Sequence, residues 1–532
     1  MGMNLARFYK ERLKSSWKLA FFSAFFVGLL VHMFKLVNVI PYWDSLMNYY
    51  SSQNMVSSGR WLLSAACSLG SWFDLPWING LLSLFFIGCT AAVITEHFRM
   101  TSPCLIILSG GLLATFPAVT ATMAYGYTSD GYMIAMLLAA VAAALSRVED
   151  IRPERWKRLL FSGVCLCLSC GIYQAYISFA FVLSVCHAML ELLEGKRRCR
   201  DILRWMGVQL LLYGGALAAY YCIWKLCLHV QGVPATTYQG INGVGSAGLA
   251  HMGSAVRKIL RDTGIFFFQW NIFEEGLTAY SLLNILFLVF LVVGATLALV
   301  KSGAGKELSR LSLLVLLGLS IPFGCFIWHF VSDGVYYHPV MLQSFCGLYI
   351  FAAVLYDKWL PGIKADAAMV LLAAVIVSNS ISANLFYTQM HLRYERAYAE
   401  AVELNTRIHL LDDGTVRYVA FLGEPEKAYT REELRVLGGC WLPAKELTSY
   451  HFLQLYTDFE LSYYAANGVE LPLAENYLEY PVPRDMEFHF PLLPRQELLA
   501  LEASEEVSSM PVWPAAGSVI RIGDTVVVRF SR

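Results

Sequence analysis

Charge is what this sequence has least of. Only 15% of its 532 residues are Asp, Glu, Lys or Arg, against roughly 25% in an average soluble protein. Acids and bases cancel, 40 against 40. The net charge therefore says nothing about nucleic-acid partners, and none is expected. There is no disulfide framework to read either. Most of the cysteines lie inside apolar runs, among them Cys89, Cys165, Cys167, Cys170, Cys186, Cys222 and Cys346. The Cys-x-Cys-x-x-Cys at 165–170 has metal-like spacing but no His or acid beside it, so it reads as small core-packing residues, and no cysteine metal site is expected. The glycine-rich stretch Gly240–Gly253 lacks the Lys and Ser/Thr of a phosphate-cradling loop and reads as a flexible connection. The first apolar run lacks a small-residue cleavage site, which argues against a signal peptide. Neither an internal repeat nor a low-complexity tract is present.

Apolar residues take the place of charge. They make up 57% of the chain, and mean hydropathy is +0.52. Repeated apolar runs exceed the roughly 17 residues that a membrane helix needs at minimum. The chain is therefore expected to be mainly α, a polytopic helical membrane protein. Eleven spans are expected, at 18–36, 76–95, 103–122, 131–146, 158–171, 173–192, 204–228, 279–300, 311–330, 340–356 and 366–386. Leu159–Leu193 is too long for one span, so it either crosses twice or forms a re-entrant pair meeting near Gly171–Gln174.

The few cations orient these spans. Arg7, Lys10, Arg12, Lys14 and Lys18 precede the first run and place the N-terminus in the cytoplasm. Alternate loops repeat the bias, with Arg99, then Arg147 to Arg158, Lys196 to Arg204, Lys301 to Arg310, and Lys358 with Lys364. The intervening outer loops hold only Arg60, Arg257, Lys258 and Arg261. Eleven crossings leave residues 387–532 outside as a separate α+β domain, after a membrane domain spanning 1–386. In that second domain Met390–Leu411 reads as an amphipathic helix, Arg417–Leu422 as a strand, Thr430–Leu437 as a short helix and Val519–Arg529 as a β-hairpin. The expected location is the bacterial plasma membrane.

Polar groups collect on the outer side: Tyr42, Trp43, Asp44, Arg60 and Trp61; Tyr125, Tyr127, Asp130 and Tyr132; Tyr173, Gln174 and Tyr176; Gln269, Trp270, Glu274 and Glu275; Trp328, His329, Asp333, Tyr336, Tyr337 and His338. An interfacial aromatic belt accounts for the Trp and Tyr. It does not account for the acids Asp44, Asp130 and Asp333 in separate outer loops. Acids and bases at one membrane face suit transfer of a sugar from a lipid phosphate. Arg60 with Arg257 or Arg261 would hold the phosphate, since guanidinium offers a bidentate fork. A carboxylate, Asp44 in preference, would take the proton from the acceptor hydroxyl. Asp130 would share that task, or the two would hold a divalent cation such as Mg or Mn. Trp61, Tyr173, Gln174 and His338 complete the expected donor site. The blander alternatives are that Asp44 caps the following helix and that Arg60 merely braces its loop against it.

With Asp44, Ser58-Gly59-Arg60-Trp61 and Tyr173-Gln174 placed, the chain resembles the bacterial type II O-antigen glucosyltransferases (Gtr type). Asn384–Tyr387 and the ending Met510-Pro-Val-Trp-Pro-Ala-Ala-Gly-Ser-Val-Ile…Asp524-Thr-Val-Val-Val-Arg-Phe add to the likeness. The resemblance implies a GT-C-type multi-pass fold with an acid in the first outer loop. It also implies an undecaprenyl-phosphate-linked glucose donor, made by a lipid-linked sugar synthase and turned over by a flippase, and a surface polysaccharide acceptor. Asp44, Arg60 and Gln174 carry over by position; Asp130, Asp333 and His338 rest on location alone. Two other readings compete. A transporter or lipid flippase would place acids at mid-membrane and show paired halves, whereas here the acids lie at one face and the halves are unlike. A polysaccharide polymerase or ligase shares the large outer loop.

Overall fold

Inside a bilayer, backbone groups must be satisfied within the segment, so each long apolar run is obliged to be a helix. The computed structural model describes residues 13–40, 52–150, 155–243, 249–269, 279–332, 334–423 and 495–530. Among these residues, those before Tyr387, Ile40 apart, form one compact unit, and those from Tyr387 onward form a second.

The first unit opens with α1 (Ser15–Val37), the short α2 (Leu63–Cys67) and α3 (Pro76–His97). Then come α4 (Pro103–Thr115), α5 (Pro117–Ala124) and α6 (Gly126–Leu145). Proline sets the starts of α3, α4 and α5, where a missing N–H costs nothing. Pro117 also forces Phe116 out of the helical region, and α4 and α5 meet at a 40° bend. The run continues with α7 (Trp156–Ile172), α8 (Tyr176–Leu193), α9 (Cys199–Gln231) and α10 (Leu249–Gly264). It ends with α11 (Ala279–Ser302), α12 (Leu308–Cys325), α13 (Ser344–Trp359) and, as far as Phe386, α14 (Ile363–Leu410). Helix α8 is the buried centre of the unit, whereas α9 and α11 present exposed Leu210, Leu211, Val289 and Val292 as a lipid surface would require. Small residues let helices approach closely. A Cβ at Gly110 of α4 would lie 3.1 Å from the Ala20 carbonyl of α1.

Each of the eleven expected spans is a helix. Eight are long and apolar enough to cross a membrane, nine with the bent α4–α5 pair counted as one. The other two, α7 and α13, have 17 and 16 residues. The 159–193 stretch is two helices broken at Tyr173–Ala175.

Two expectations are corrected. Residues from Leu249 are not loop: α10 is strongly amphipathic, burying Ala255 and Ile259 while exposing Arg257. Its sequence pattern outweighs its glycines. The helix expected at Met390–Leu411 is the continuation of α14, because no Pro or Gly interrupts 363–410.

The second unit carries β1 (Tyr418–Leu422), α15 (Arg495–Glu502), α16 (Glu505–Ser509), β2 (Val519–Ile522) and β3 (Thr525–Arg529). The sheet order is β1-β3-β2, with β1 parallel and β2 antiparallel to β3. Gly523, at φ +61°, turns the expected hairpin. Alternation along the strands sends Val419, Val526 and Val528 to one face, against Leu404 and Ile408 of α14. Ala420, Leu422 and Val527 face the other way, against Leu498, Val507 and Met510. The expected Thr430–Leu437 helix lies outside the described residues.

Candidate functional site

The loop between α1 and α2 is built around a tight turn. Val56–Ser58 form one 3₁₀ turn, closed by Gly59 at φ +85° and a bridge between Met55 and Arg60. Three side chains hold its carbonyls, Gln174 from the break between α7 and α8, and Tyr220 and Trp224 from α9. Gln174 Nε2 donates to Ser58 O and to the Tyr220 hydroxyl, both at 2.9 Å. That hydroxyl donates to Gly59 O at 3.0 Å, and Trp224 Nε1 donates to Val56 O at 2.7 Å. A Cβ on Gly59 would lie 2.3 Å from the Tyr220 hydroxyl and 2.4 Å from Gln174 Nε2. Position 59 must therefore be glycine for space as well as for dihedral.

The turn delivers Arg60 to an aromatic cradle. Tyr132 and Tyr173 stack with ring centroids 4.2 Å apart and 11° between planes. The guanidinium lies 5.2 Å from the Tyr173 ring and 5.9 Å from that of Tyr132, within cation–π range. Arg60 Nη1 also reaches Met55 Sδ at 3.3 Å. Trp61 packs behind it: a Cβ on Gly171 would come within 2.6 Å of the indole. Of the residues expected here, the structure brings Arg60, Tyr173, Gln174 and Trp61 together. Gln174 and Trp61 serve the loop's architecture; Arg60 and Tyr173 form the cradle.

Asp130 lies apart from that cradle. It precedes Tyr132 by two residues on α6, about 200° around the helix. Fully buried, it accepts from the Gly131 N–H at 2.9 Å through Oδ1. Its Oδ2 and Asn79 Oδ1 both crowd Gly70, where a Cβ would meet them at 2.7 and 2.5 Å. Asn79 Nδ2 donates to Phe73 O and Gly126 O at 2.8 and 3.0 Å. Asp74 also belongs here: a Cβ on Gly126 would lie 2.1 Å from its Oδ1. Neither carboxylate oxygen of Asp74 has a hydrogen-bond partner among the described residues. Burial pushes its carboxyl above the ordinary value, against the opposing pull of Lys35. Sequence reasoning missed Asp74. The available signal was Lys35, a lone cation at the end of an apolar run, since such a charge needs an acid nearby.

The remaining cations border a cavity of about 390 Å³, lined by Lys258, Arg261 and Asp262 of α10, with Phe266, His329 and Tyr337 among its other walls. His329 Nε2 and Asp262 Oδ2 are 2.7 Å apart, and the imidazole is 2% exposed. The His329 carbonyl is 2.6 Å from His251 Nε2. Arg261 pairs with Asp262 at 3.0 Å. Burial would raise the Asp262 carboxyl, but the contacts with His329 and Arg261 outweigh it and hold the group below its ordinary value. Arg257 sits exposed on α10, and His338 lies next to Tyr337 before the Pro339–Met341 turn; neither is among the lining residues. Tyr42, Trp43, Asp44, Trp270, Glu274, Glu275 and Asp333 lie outside the described residues.

One set of metal-ligand types converges among the described residues: Glu149, His187 and Glu191, with ligand atoms within 4.8 Å of one another. Its carboxylates are already engaged. Arg99 binds Glu149 at 2.7 Å and Glu191 at 2.9 Å, with Arg147 3.3 Å from Glu149 and Arg197 3.5 Å from Glu191. Three guanidiniums around two carboxylates leave a positive excess, which does not fit a resident divalent cation.

The family model described as glucosyl transferase GtrII matches residues 33–356, more than half of the chain. A search of curated proteins returns no match. Two solved structures of the Archaeoglobus fulgidus oligosaccharyltransferase are similar. In the complex with Zn and sulfate, identity is 11% and the TM-score 0.35, over 79% of this chain and 61% of that one. In the form tethered with an acceptor peptide containing the NVT sequon, identity is 11% and the TM-score 0.39, over 91% and 75%. The chain thus spans about six tenths of the first of these, a likeness too distant to transfer residues. The family match alone carries the assignment: the chain belongs to the glucosyl transferase GtrII family of membrane glycosyltransferases.

Proposed function

We propose that this enzyme transfers glucose from a polyprenyl-phosphate donor, undecaprenyl phosphate in bacteria, to a polysaccharide acceptor on the outer face of the plasma membrane. The observation that carries the donor assignment is the cavity at α10. It joins Lys258 and Arg261 to the aromatic walls Phe266 and Tyr337 beside apolar helices. Two cations suit a phosphate, the aromatic faces suit a sugar ring, and the neighbouring bilayer suits the prenyl tail. Arg60 in its tyrosine cradle is the second cationic station, taking acceptor or donor oxygens in a fixed plane.

The chemistry is a displacement at the anomeric carbon. An acceptor hydroxyl oxygen bonds to that carbon as the bond to the phosphate oxygen breaks. In our reading Asp44 takes the hydroxyl proton, with the buried Asp130 and Asp74 supporting the outer ends of the helices. A flippase and a lipid-linked sugar synthase would supply the donor, and residues 387–532 would stand outside the membrane.

Purified enzyme in lipid nanodiscs, given glucosyl polyprenyl phosphate and cell-wall polysaccharide, tests this. Wild type should release polyprenyl phosphate and glucosylate the acceptor. Asp44→Asn should lower turnover by about 10²–10⁴-fold, the usual worth of a general base. Turnover within a few-fold of wild type would remove Asp44 from the chemistry. Wild type that uses a nucleotide sugar and ignores the lipid donor would overturn the reading itself.

A further inference from the structure

Four consecutive carbonyls of the turn before Arg60 are each held from outside it. Trp224 Nε1 donates to Val56 O at 2.7 Å and the Thr236 N–H to Ser57 O at 3.0 Å. Gln174 Nε2 donates to Ser58 O at 2.9 Å and the Tyr220 hydroxyl to Gly59 O at 3.0 Å. The turn also has its own backbone bonds, from the Gly59 N–H to Val56 O at 3.0 Å and from the Arg60 N–H to Met55 O at 3.1 Å. A bond of that kind is enough to close a tight turn. The outer bonds fix something more, the orientation of its peptide planes.

The plane that carries Arg60 is the most constrained. The Gly59–Arg60 peptide is held at both ends, its oxygen by Tyr220 and its N–H by Met55 O. A peptide unit is rigid, so fixing it at two points sets the backbone entering Arg60 and the direction in which the side chain leaves. The Tyr220 hydroxyl is itself oriented, because it accepts from Gln174 Nε2 while it donates to Gly59 O. Helix α9 gives one stripe to this task. Tyr220, Trp224, Leu228 and Gln231 recur at helical spacing. Trp224 and Leu228 pack on Val56, and Gln231 Oε1 accepts from Asn54 Nδ2 at 3.0 Å. The same turns expose Leu226 and Val230 on their other side.

We propose that Tyr220 is a positioning residue for Arg60, setting the plane of its guanidinium through the Gly59–Arg60 peptide. The inference rests on the reading above, in which Arg60 takes donor or acceptor oxygens. A guanidinium donates within one plane, so it meets two oxygens together only when that plane is correctly turned. Tyr132 and Tyr173 restrain the face of the group, and Tyr220 restrains its root. Tyr220 is buried and acts through the turn, not on the sugar.

The test is kcat/KM of purified enzyme in nanodiscs, with glucosyl polyprenyl phosphate and polysaccharide acceptor, for Tyr220→Phe in two backgrounds. Phe keeps the ring that stacks on Trp224 at 6.4 Å and loses only the hydroxyl. With Arg60 present, kcat/KM should fall about tenfold or more, since a misplacement of about 1 Å costs up to about 10²-fold. In an Arg60→Lys background the compact ammonium has no plane to set, and Tyr220→Phe should change kcat/KM by less than about twofold. A hydroxyl that only stabilised the fold would lower both backgrounds alike. Equal losses in the two would therefore overturn the positioning role, as would full activity of Tyr220→Phe or of Arg60→Lys alone, each leaving the transfer reaction standing. If Tyr220→Phe does not fold, Gln174→Met removes the donor to the same hydroxyl and carries the same comparison. Wild type that does not turn over the lipid donor would instead overturn the donor reading, and this inference with it.

Discussion

Arg60 shows how a charged residue can be presented on aromatic faces near a membrane. Its guanidinium is presented by a turn that three side chains hold through carbonyls, and it lies on stacked Tyr132 and Tyr173. A cation–π contact is worth about 0.5–2 kcal/mol, and guanidinium covers a ring face as a compact ammonium does not. Arg60→Lys should therefore lower kcat/KM at least about tenfold with normal insertion. A double-mutant cycle with Tyr173→Leu should show coupling of about 0.5–2 kcal/mol in transition-state stabilisation. Additivity within a few tenths of a kcal/mol would mean that the cradle is incidental. Arg60 and Tyr173 were legible in the sequence because a lone base among aromatics is rare. The pairing of Gln174 with the Ser58 carbonyl was not, since 116 positions separate them.

At the scale of elements, hydropathy located the helices but misplaced some of their limits. The drop in hydropathy after Phe386 suggested an end to α14, yet the backbone runs on to Leu410. Helix formation depends on local propensity, and the flanking Tyr387-Thr388-Gln389 contains no breaker. At Gly240–Gly253 the opposite error arose, because glycine count was weighed above the apolar positions that anchor α10. Where two elements pack, the limiting positions are visible only in three dimensions. Gly171 ends α7 against the Trp61 indole, and its backbone carbonyl accepts from Leu62 N at 2.8 Å. Gly171→Leu should cost about 1–3 kcal/mol by overpacking and displace Trp61. The check is detergent-solubilised thermal unfolding beside the activity of the same preparation. Trp61→Ala in the same chain should recover part of the loss, whereas an unchanged midpoint in the single variant would show that the loop yields without cost.

At the scale of the whole membrane unit, side-chain links assign helix ends to faces. Lys14 and Trp17 bind Glu96, so the start of α1 meets the end of α3. Arg99, Glu149 and Glu191 gather the ends of α3, α6 and α8. Arg310 donates to Leu192 O at 2.8 Å, Lys358 to Glu194 at 2.5 Å and Lys301 to Trp359 O at 2.9 Å. All these ends carry the basic loops read as cytoplasmic. The opposite ends are joined as well, by Gln174 to Ser58 and by His329 to Asp262. Helix α7 thus leads from the first set of ends to the second, and α13 leads back, although they have only 17 and 16 residues. At 1.5 Å per residue they reach about 24–26 Å, short of a typical core of about 30 Å, a shortfall that local thinning accommodates. Counting both, and the bent pair as one, would give the eleven crossings expected from the sequence. Reporter fusions after Arg158 and Arg200 should read cytoplasmic, and those after Arg60 and Arg532 external. If α7 and α8 instead formed a re-entrant pair, a cysteine at position 174 would resist impermeant maleimide while one at 60 reacted. A cytoplasmic reading at Arg532 would overturn the eleven-span reading.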